Sequence, residues 1–292
     1  MFAFFWRRKR HLRALAAAGA FFLMLVSGVH AQPAGPDAAP TATIAAQTPG
    51  PATEGCVSTR VEIWARDITG LYGIDVRMTF DPSILQVVDA DPNATGVQIT
   101  PLSGFMKPDF VVKKIACNAA SATDPDCATA GLVWYAATET SPTAPATGSG
   151  ALVAVDFVSA GAGLSSLQIT YSEPVDVHGS PIMATTGNAQ LAANPPADPV
   201  VTASLPAPTA PRLSWAAIPG AGTYRVYRSS TPYFPPVQPP YASTGQLFYD
   251  DTGAAGDPQV NHFYVVRAVC GNGLASSGSN PTGEFDYGLI RP

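Results

Sequence analysis

The chain has 292 residues, 46% of them hydrophobic and only 13% charged, with 29 prolines and 26 glycines. That length suits two domains of ordinary size, and the composition suits many short strands joined by turns. The formal charge of −5 becomes −10 once the basic residues of the first 31 positions are set aside, which excludes a phosphate backbone as a natural partner.

Those first 31 residues carry a basic head of Arg7, Arg8, Lys9, Arg10 and Arg13, then an apolar run from Ala14 to Val26, then Val29-His30-Ala31. Thirteen apolar residues fall short of the roughly 20 that span a bilayer. The segment therefore reads as a secretory signal, cleaved to leave Gln32 first. No Cys follows Ser27-Gly28, and no second apolar span occurs downstream, so the expected product is exported without a membrane span. Residues 32–54 are rich in Ala, Pro and Thr and read as an extended tether.

Period-two alternation starts beyond it. Val57, Thr59, Val61, Ile63 and Ala65 alternate with Ser58, Arg60, Glu62 and Trp64. Tyr72, Ile74, Val76, Met78 and Phe80 then face one way, with Gly73, Asp75, Arg77 and Thr79 opposite. Further strands are predicted over 110–116, 132–137, 151–158, 166–171 and 188–191. Strands at this spacing need two packed sheets to bury one face each.

The run GLYGIDVRMTFDPSILQVVDADP resembles the strand-turn-strand pattern of cohesins. The later run GSGALVAVDFVSAGAGLSSLQITYSEPVDVHGSPI is similar to the second signature of that family. The resemblance covers residues 55–193 and implies an all-β, nine-stranded jelly-roll sandwich. In type I cohesins the equivalent strand supplies polar side chains to the dockerin-binding face. The resemblance thus points to Asp75, Arg77 and Thr79 as partner-binding residues, although Gly73 stands where those cohesins often carry Asn.

Residues 194–210 contain NPPADP and LPAPTAP and read as a Pro-rich linker. Beyond it come Leu213-Ser214-Trp215, Tyr224-Arg225-Val226-Tyr227-Arg228 and Tyr264-Val265-Val266-Arg267-Ala268. Residues 211–289 resemble a fibronectin type III domain, a seven-stranded sandwich, which implies that Trp215, Tyr224, Val226, Tyr264, Val266 and Ala268 are core.

Four cysteines enter an oxidising compartment. Cys117 and Cys127 bracket the turn-rich NAASATDPD, so a local bridge is predicted. Cys56 and Cys270 fall in different modules and are either free and buried or joined across them. No C-x-x-C pair or His cluster suggests zinc.

Catalytic constellations are missing from the sequence: there is no nucleophile elbow, no H-E-x-x-H and no phosphate-cradling glycine loop. Asp89-Ala90-Asp91-Pro92-Asn93 imitates a calcium loop but places Ala94 and Thr100 where glycine and glutamate are required. His178 falls in a hairpin and His262 at a strand start. Trp64, Tyr233, Phe234 and Tyr241 are candidate sugar platforms whose simpler roles are edge cover and loop packing. The expectation is an extracellular, non-catalytic binding or scaffolding protein with no cofactor and no metal. Its partner is a dockerin-like protein or, alternatively, a polysaccharide, and a structural surface module is the third reading.

Overall fold

A computed structural model describes residues 41–50, 52–207, 209–237, 239–255 and 260–284. The predicted signal segment, its predicted cleavage site and the first part of the predicted tether lie outside them. Among the described residues no helix is long and apolar enough to cross a membrane.

The protein is all-β, as the alternation predicts. Its first sandwich is made of β1 (Thr43–Gln47), β2 (Ala52–Glu54), β3 (Thr59–Leu71), β4 (Gly73–Thr79), β5 (Leu85–Val87), β6 (Val97–Gln98), β7 (Thr100–Pro101), β8 (Phe110–Cys117), β9 (Leu132–Thr138), β10 (Ala146–Ser159), β11 (Gly163–Val175), β12 (Thr185–Gly187) and β13 (Ala189–Asn194). One sheet has the order β12-β1-β3-β10-β5, with β7 also on β10, and the other β2-β13-β11-β4-β9-β8-β6. Between them lies one core. Val61, Ile63 and Ala65 of β3 and Ile74, Val76 and Met78 of β4 are all buried, as their alternation requires. Phe80, beyond β4, meets Phe157 of β10 edge to face with ring centroids 5.2 Å apart. Each such side chain contributes about 1.5–3 kcal/mol by leaving water.

Two sequence expectations need correction here. The predicted tether over 32–54 is not extended throughout: β1 pairs antiparallel with β3 and parallel with β12, and β2 pairs parallel with β13. Ile44 is wholly buried, so the sandwich recruits this segment to close an edge that would otherwise present unpaired N–H and C=O groups. Among the described residues the first sandwich has thirteen strands where nine were expected, because several are only two or three residues long.

The second sandwich holds seven strands among the described residues: β14 (Thr202–Ala207), β15 (Ala210–Ser214), β16 (Thr223–Ser229), β17 (Ala242–Thr244), β18 (Phe248–Asp250), β19 (His262–Val269) and β20 (Thr282–Glu284). They form a three-stranded sheet, β14-β15-β18, and a four-stranded one, β17-β16-β19-β20. The linker expected over 194–210 is shortened accordingly, since β14 pairs with β15 across its C-terminal half. Leu213, Trp215, Tyr224, Val226, Tyr264, Val266 and Ala268 form the core.

Both cysteine pairs are bridged. Cys117–Cys127 closes a loop over a 3-10 turn at Pro125–Cys127, whose Asp124 side chain accepts from Asp126 N–H at 3.0 Å. Cys56–Cys270 joins the two sandwiches, with Cα atoms 5.1 Å apart and 214 residues between them in sequence. Around it Asn272 Nδ2 donates to the Ser159 carbonyl at 2.8 Å. Gly220, at φ +73°, lies so close that an added Cβ would meet the Cys56 carbonyl oxygen at 2.7 Å. Only glycine fits that contact.

Glu139, just past β9, is 2% exposed. Its Oε1 accepts the Lys107 N–H at 2.9 Å, while Oε2 is buried without a partner among the described residues. Burial pushes the Glu139 carboxyl up from its ordinary value. A carboxyl that holds its proton more tightly when folded gives stability that is full below the unfolded pKa and lost as pH rises through the folded one. Glu139→Gln should therefore flatten the decline of the first sandwich's urea midpoint between about pH 4 and pH 7. An unchanged decline would mean that another group sets it.

Candidate functional site

Alternation on β4 turns Asp75, Arg77 and Thr79 away from the core, and the structure shows which side chains lie beside them. β4 is central, with β9 on one side and β11 on the other. Arg77 is directly opposite Trp134 of β9 and Tyr171 of β11, and Asp75 is opposite Ala136 and Glu173. Cross-strand neighbours on one face stand close enough for direct contact.

The contacts are specific. The Arg77 guanidinium carbon is 4.2 Å from the Trp134 ring centroid and 4.9 Å from that of Tyr171, so the cation lies between two aromatic walls. Trp134 Nε1–H donates to Asp75 Oδ1 at 2.8 Å, and Arg77 Nη2 lies 3.5 Å from Asp75 Oδ2. Lys113 of β8 approaches Trp134 from the other side, with Nζ 4.9 Å from the ring centroid, and pairs with Asp126 in the bridged loop. The Tyr171 hydroxyl hydrogen-bonds to Glu173, and that bond raises the phenol's pKa. Asp75 and Arg77 side chains remain about a third exposed, at 30% and 38%. The result is a face whose charged groups are held in fixed register but still meet solvent.

Gly73 behaves differently from the polar neighbour expected there. A Cβ at that position would meet Val175 Cγ2 at 2.9 Å and Thr138 Oγ1 at 3.4 Å. The space is already filled from β11, so that end of the face is closed to a larger side chain.

Sequence reasoning named Asp75, Arg77 and Thr79 and missed Trp134, Tyr171, Glu173 and Lys113. Alternation could have found Trp134, because Val133 and Tyr135 must point inward. Thr79 shares the face, opposite Leu132 and Gln168, but makes no side-chain hydrogen bond among the described residues. The other candidates lie elsewhere. His178 sits in a turn where Asp176 Oδ1 accepts from the His178 and Ser180 N–H groups. Asp89 Oδ1 accepts from Asp91 and Gln98 N–H, spending on its own loop an oxygen a cation would need. Trp64 donates to Glu62 at 2.8 Å on the opposite sheet.

No family model matches the chain, and no curated protein matches its sequence. Solved structures with which it shares a likeness include a type II cohesin domain from the cellulosome of Acetivibrio cellulolyticus, at 19% identity and TM-score 0.42, covering 52% of this chain and 95% of that one. A non-cellulosomal cohesin from the archaeon Archaeoglobus fulgidus aligns at 13% identity and TM-score 0.38, over 53% and 91%. The sixth cohesin from scaffoldin B of Acetivibrio cellulolyticus, solved in complex with a Cel5 dockerin, aligns at 15% identity and TM-score 0.39, over 53% and 99%.

Proposed function

We propose that this chain is an exported, non-catalytic recognition protein whose first sandwich binds a dockerin-type protein partner through the face of β11, β4, β9 and β8. The observation that carries the reading is the Arg77 guanidinium held between Trp134 and Tyr171, beside an Asp75 that is itself fixed by Trp134. Strand-borne groups locked by neighbours lose little entropy on docking, which favours a protein partner with a matching surface. Aromatic and Arg residues at the centre of a face are also the types that dominate interface energetics.

The sequence resemblance to cohesins favours a dockerin-type partner, and the second sandwich serves as a spacer. Direct stacking of a sugar on Trp134 is disfavoured, because cations from both neighbouring strands flank that ring.

Calorimetric titration against dockerin modules from the same organism tests the proposal. Arg77→Ala should weaken binding by about 1–3 kcal/mol, or roughly 5- to 150-fold, the scale of a charged hydrogen-bonding group lost from an interface. Asp75→Ala should act in the same direction by releasing Trp134. Trp64→Ala, on the opposite sheet, should bind as wild type does. Equal affinities for wild type and Arg77→Ala would move the site to another surface, and no binding to any dockerin would favour a structural surface module.

A further inference from the structure

The second sandwich contains a cavity of its own, separate from the face just described. It opens beside the end of β16 and the loop that follows, with a volume of about 470 Å³, and its walls include Arg228, Ser230, Phe234, Val237 and Tyr241. That volume falls in the range of small-molecule sites, about 300–1,000 Å³.

The wall is anchored from beneath. Asp251, 1% exposed, accepts hydrogen bonds from Arg228 Nη1 at 2.9 Å, Tyr241 OH at 3.1 Å and Tyr264 OH at 2.8 Å. The Arg228 guanidinium also stacks on the Tyr241 ring at 3.8 Å. A buried carboxylate thus fixes Arg228 and Tyr241, two side chains of the wall. Tyr241 nevertheless stays 46% exposed and Val237 81%. Tyr233, next to Phe234, is 84% exposed and holds φ at +56°, a left-handed conformation that costs a non-glycine residue about 1–2 kcal/mol.

Charge and hydrogen-bonding capacity narrow the ligand. An anion needs a free cation, but Arg228 is already neutralised by Asp251. A cation needs a free carboxylate, and Asp251 is buried and spent on three donors. The ligand is therefore neutral. Residues 231–241 include five prolines, Pro232, Pro235, Pro236, Pro239 and Pro240, so the loop offers many carbonyl acceptors and few N–H donors. An extended peptide would need both. A polyhydroxylated molecule supplies the missing donors, and the Ser230 hydroxyl, which makes no hydrogen bond among the described residues, can answer it. Arg228 lies over one side of the Tyr241 ring only, unlike the two cations at Trp134, and the surface of Tyr241 that stays exposed, with the neighbouring prolines, suits the apolar face of a sugar ring.

From these features we infer that this cavity is a binding site for a neutral saccharide, stacked on Tyr241 and Phe234 and hydrogen-bonded to the loop carbonyls. The test is titration of the disulfide-intact chain with cellohexaose, xylohexaose and mannohexaose. Binding of at least one in the range of about 0.1–1 mM is expected. Tyr241→Ala should weaken it more than tenfold, while Tyr241→Phe, which keeps the ring and drops the hydroxyl's bonds to Asp251 and Tyr249, should bind within about threefold of wild type. Arg77→Ala and Trp134→Ala should leave it unchanged, separating this site from the sheet face. The inference is overturned if none of the three sugars binds, if Tyr241→Ala binds as wild type does, if Tyr241→Phe loses as much as Tyr241→Ala, or if binding is lost in the Arg77 or Trp134 variants. A proline-rich peptide that occupies the cavity while all three sugars fail overturns it as well.

Discussion

Replacing Cys56 and Cys270 together by serine should cost about 5 kcal/mol of unfolding free energy, summed over both sandwiches, because the bridge closes a loop of 214 residues. In the chain-entropy account a crosslink acts on the unfolded ensemble, and its effect grows with the logarithm of loop length. The same account gives about 3 kcal/mol for Cys117–Cys127, where the separation is 10 residues. The two double-serine variants therefore rank themselves, and urea denaturation with matched probes on each sandwich reads the ranking. The long-range pair should also change the shape of the transition. With the bridge intact an unfolded second sandwich is still held at both ends, whereas without it only the connection after β13 remains. A smaller loss for the long-range pair than for the local one would show that its native environment is strained or that the unfolded chain keeps the ends together without it.

Trp215→Ala should destabilise the second sandwich by about 3–5 kcal/mol, the range for emptying the site of a large buried aromatic. Trp215 is 6% exposed and packs against Tyr224 with ring centroids 5.3 Å apart. Its Nε1 has no hydrogen-bond partner among the described residues, so the loss is one of packing and apolar burial. The experiment carries its own control. Trp64 and Trp134, both in the first sandwich, are the remaining tryptophans after residue 31, so fluorescence in the variant follows that sandwich alone. Tryptic cleavage at Arg225, Arg228 and Arg267 follows the second. Cleavage should accelerate sharply while the fluorescence transition stays in place. Coupled loss of both signals would mean that the contacts around Cys56 and Cys270 carry cooperativity from one sandwich to the other.

The core of the first sandwich was legible because residues 61–65 of β3 and 74–78 of β4 alternate without interruption; beyond Ala65 the buried residues of β3 fall three apart, at Ile68 and Leu71. The same rule was enough to place Asp75, Arg77 and Thr79 on the outside. Tyr171 was not legible. Strict alternation from Leu167 and Ile169 would turn it inward, but the register of β11 against β4 shifts between Ile169 and Tyr171. The extra residue, Thr170, reverses the facing of everything after it, so Tyr171 joins Arg77 and Glu173 joins Asp75 on the outer face. A bulge of this kind has no signature in a short polar sequence. The strands β1 and β14 escaped for a different reason. The alanines of β1 and the alanines and proline of β14 have weak strand propensity, and pairing partners distant in sequence, not local preference, make them strands. The bridge between Cys56 and Cys270 was left open because nothing local to either cysteine distinguishes a free thiol from a distant partner.

That bridge also sets the path along which the molecule would carry tension. Cys56 lies near the beginning of the first sandwich and Cys270 near the end of the second, so a pull on the segments outside them passes from one sulfur to the other. Residues 57–269 form a slack loop beside the loaded line, and of the strands among the described residues only β1, β2 and β20 lie on it. Weaker interactions can yield one strand at a time, but the covalent link withholds about 700 Å of extensible chain. The face holding Asp75, Arg77 and Trp134 and the cavity beside Tyr241 both lie within the sheltered loop. Both stay off the loaded line until the flanking strands have yielded.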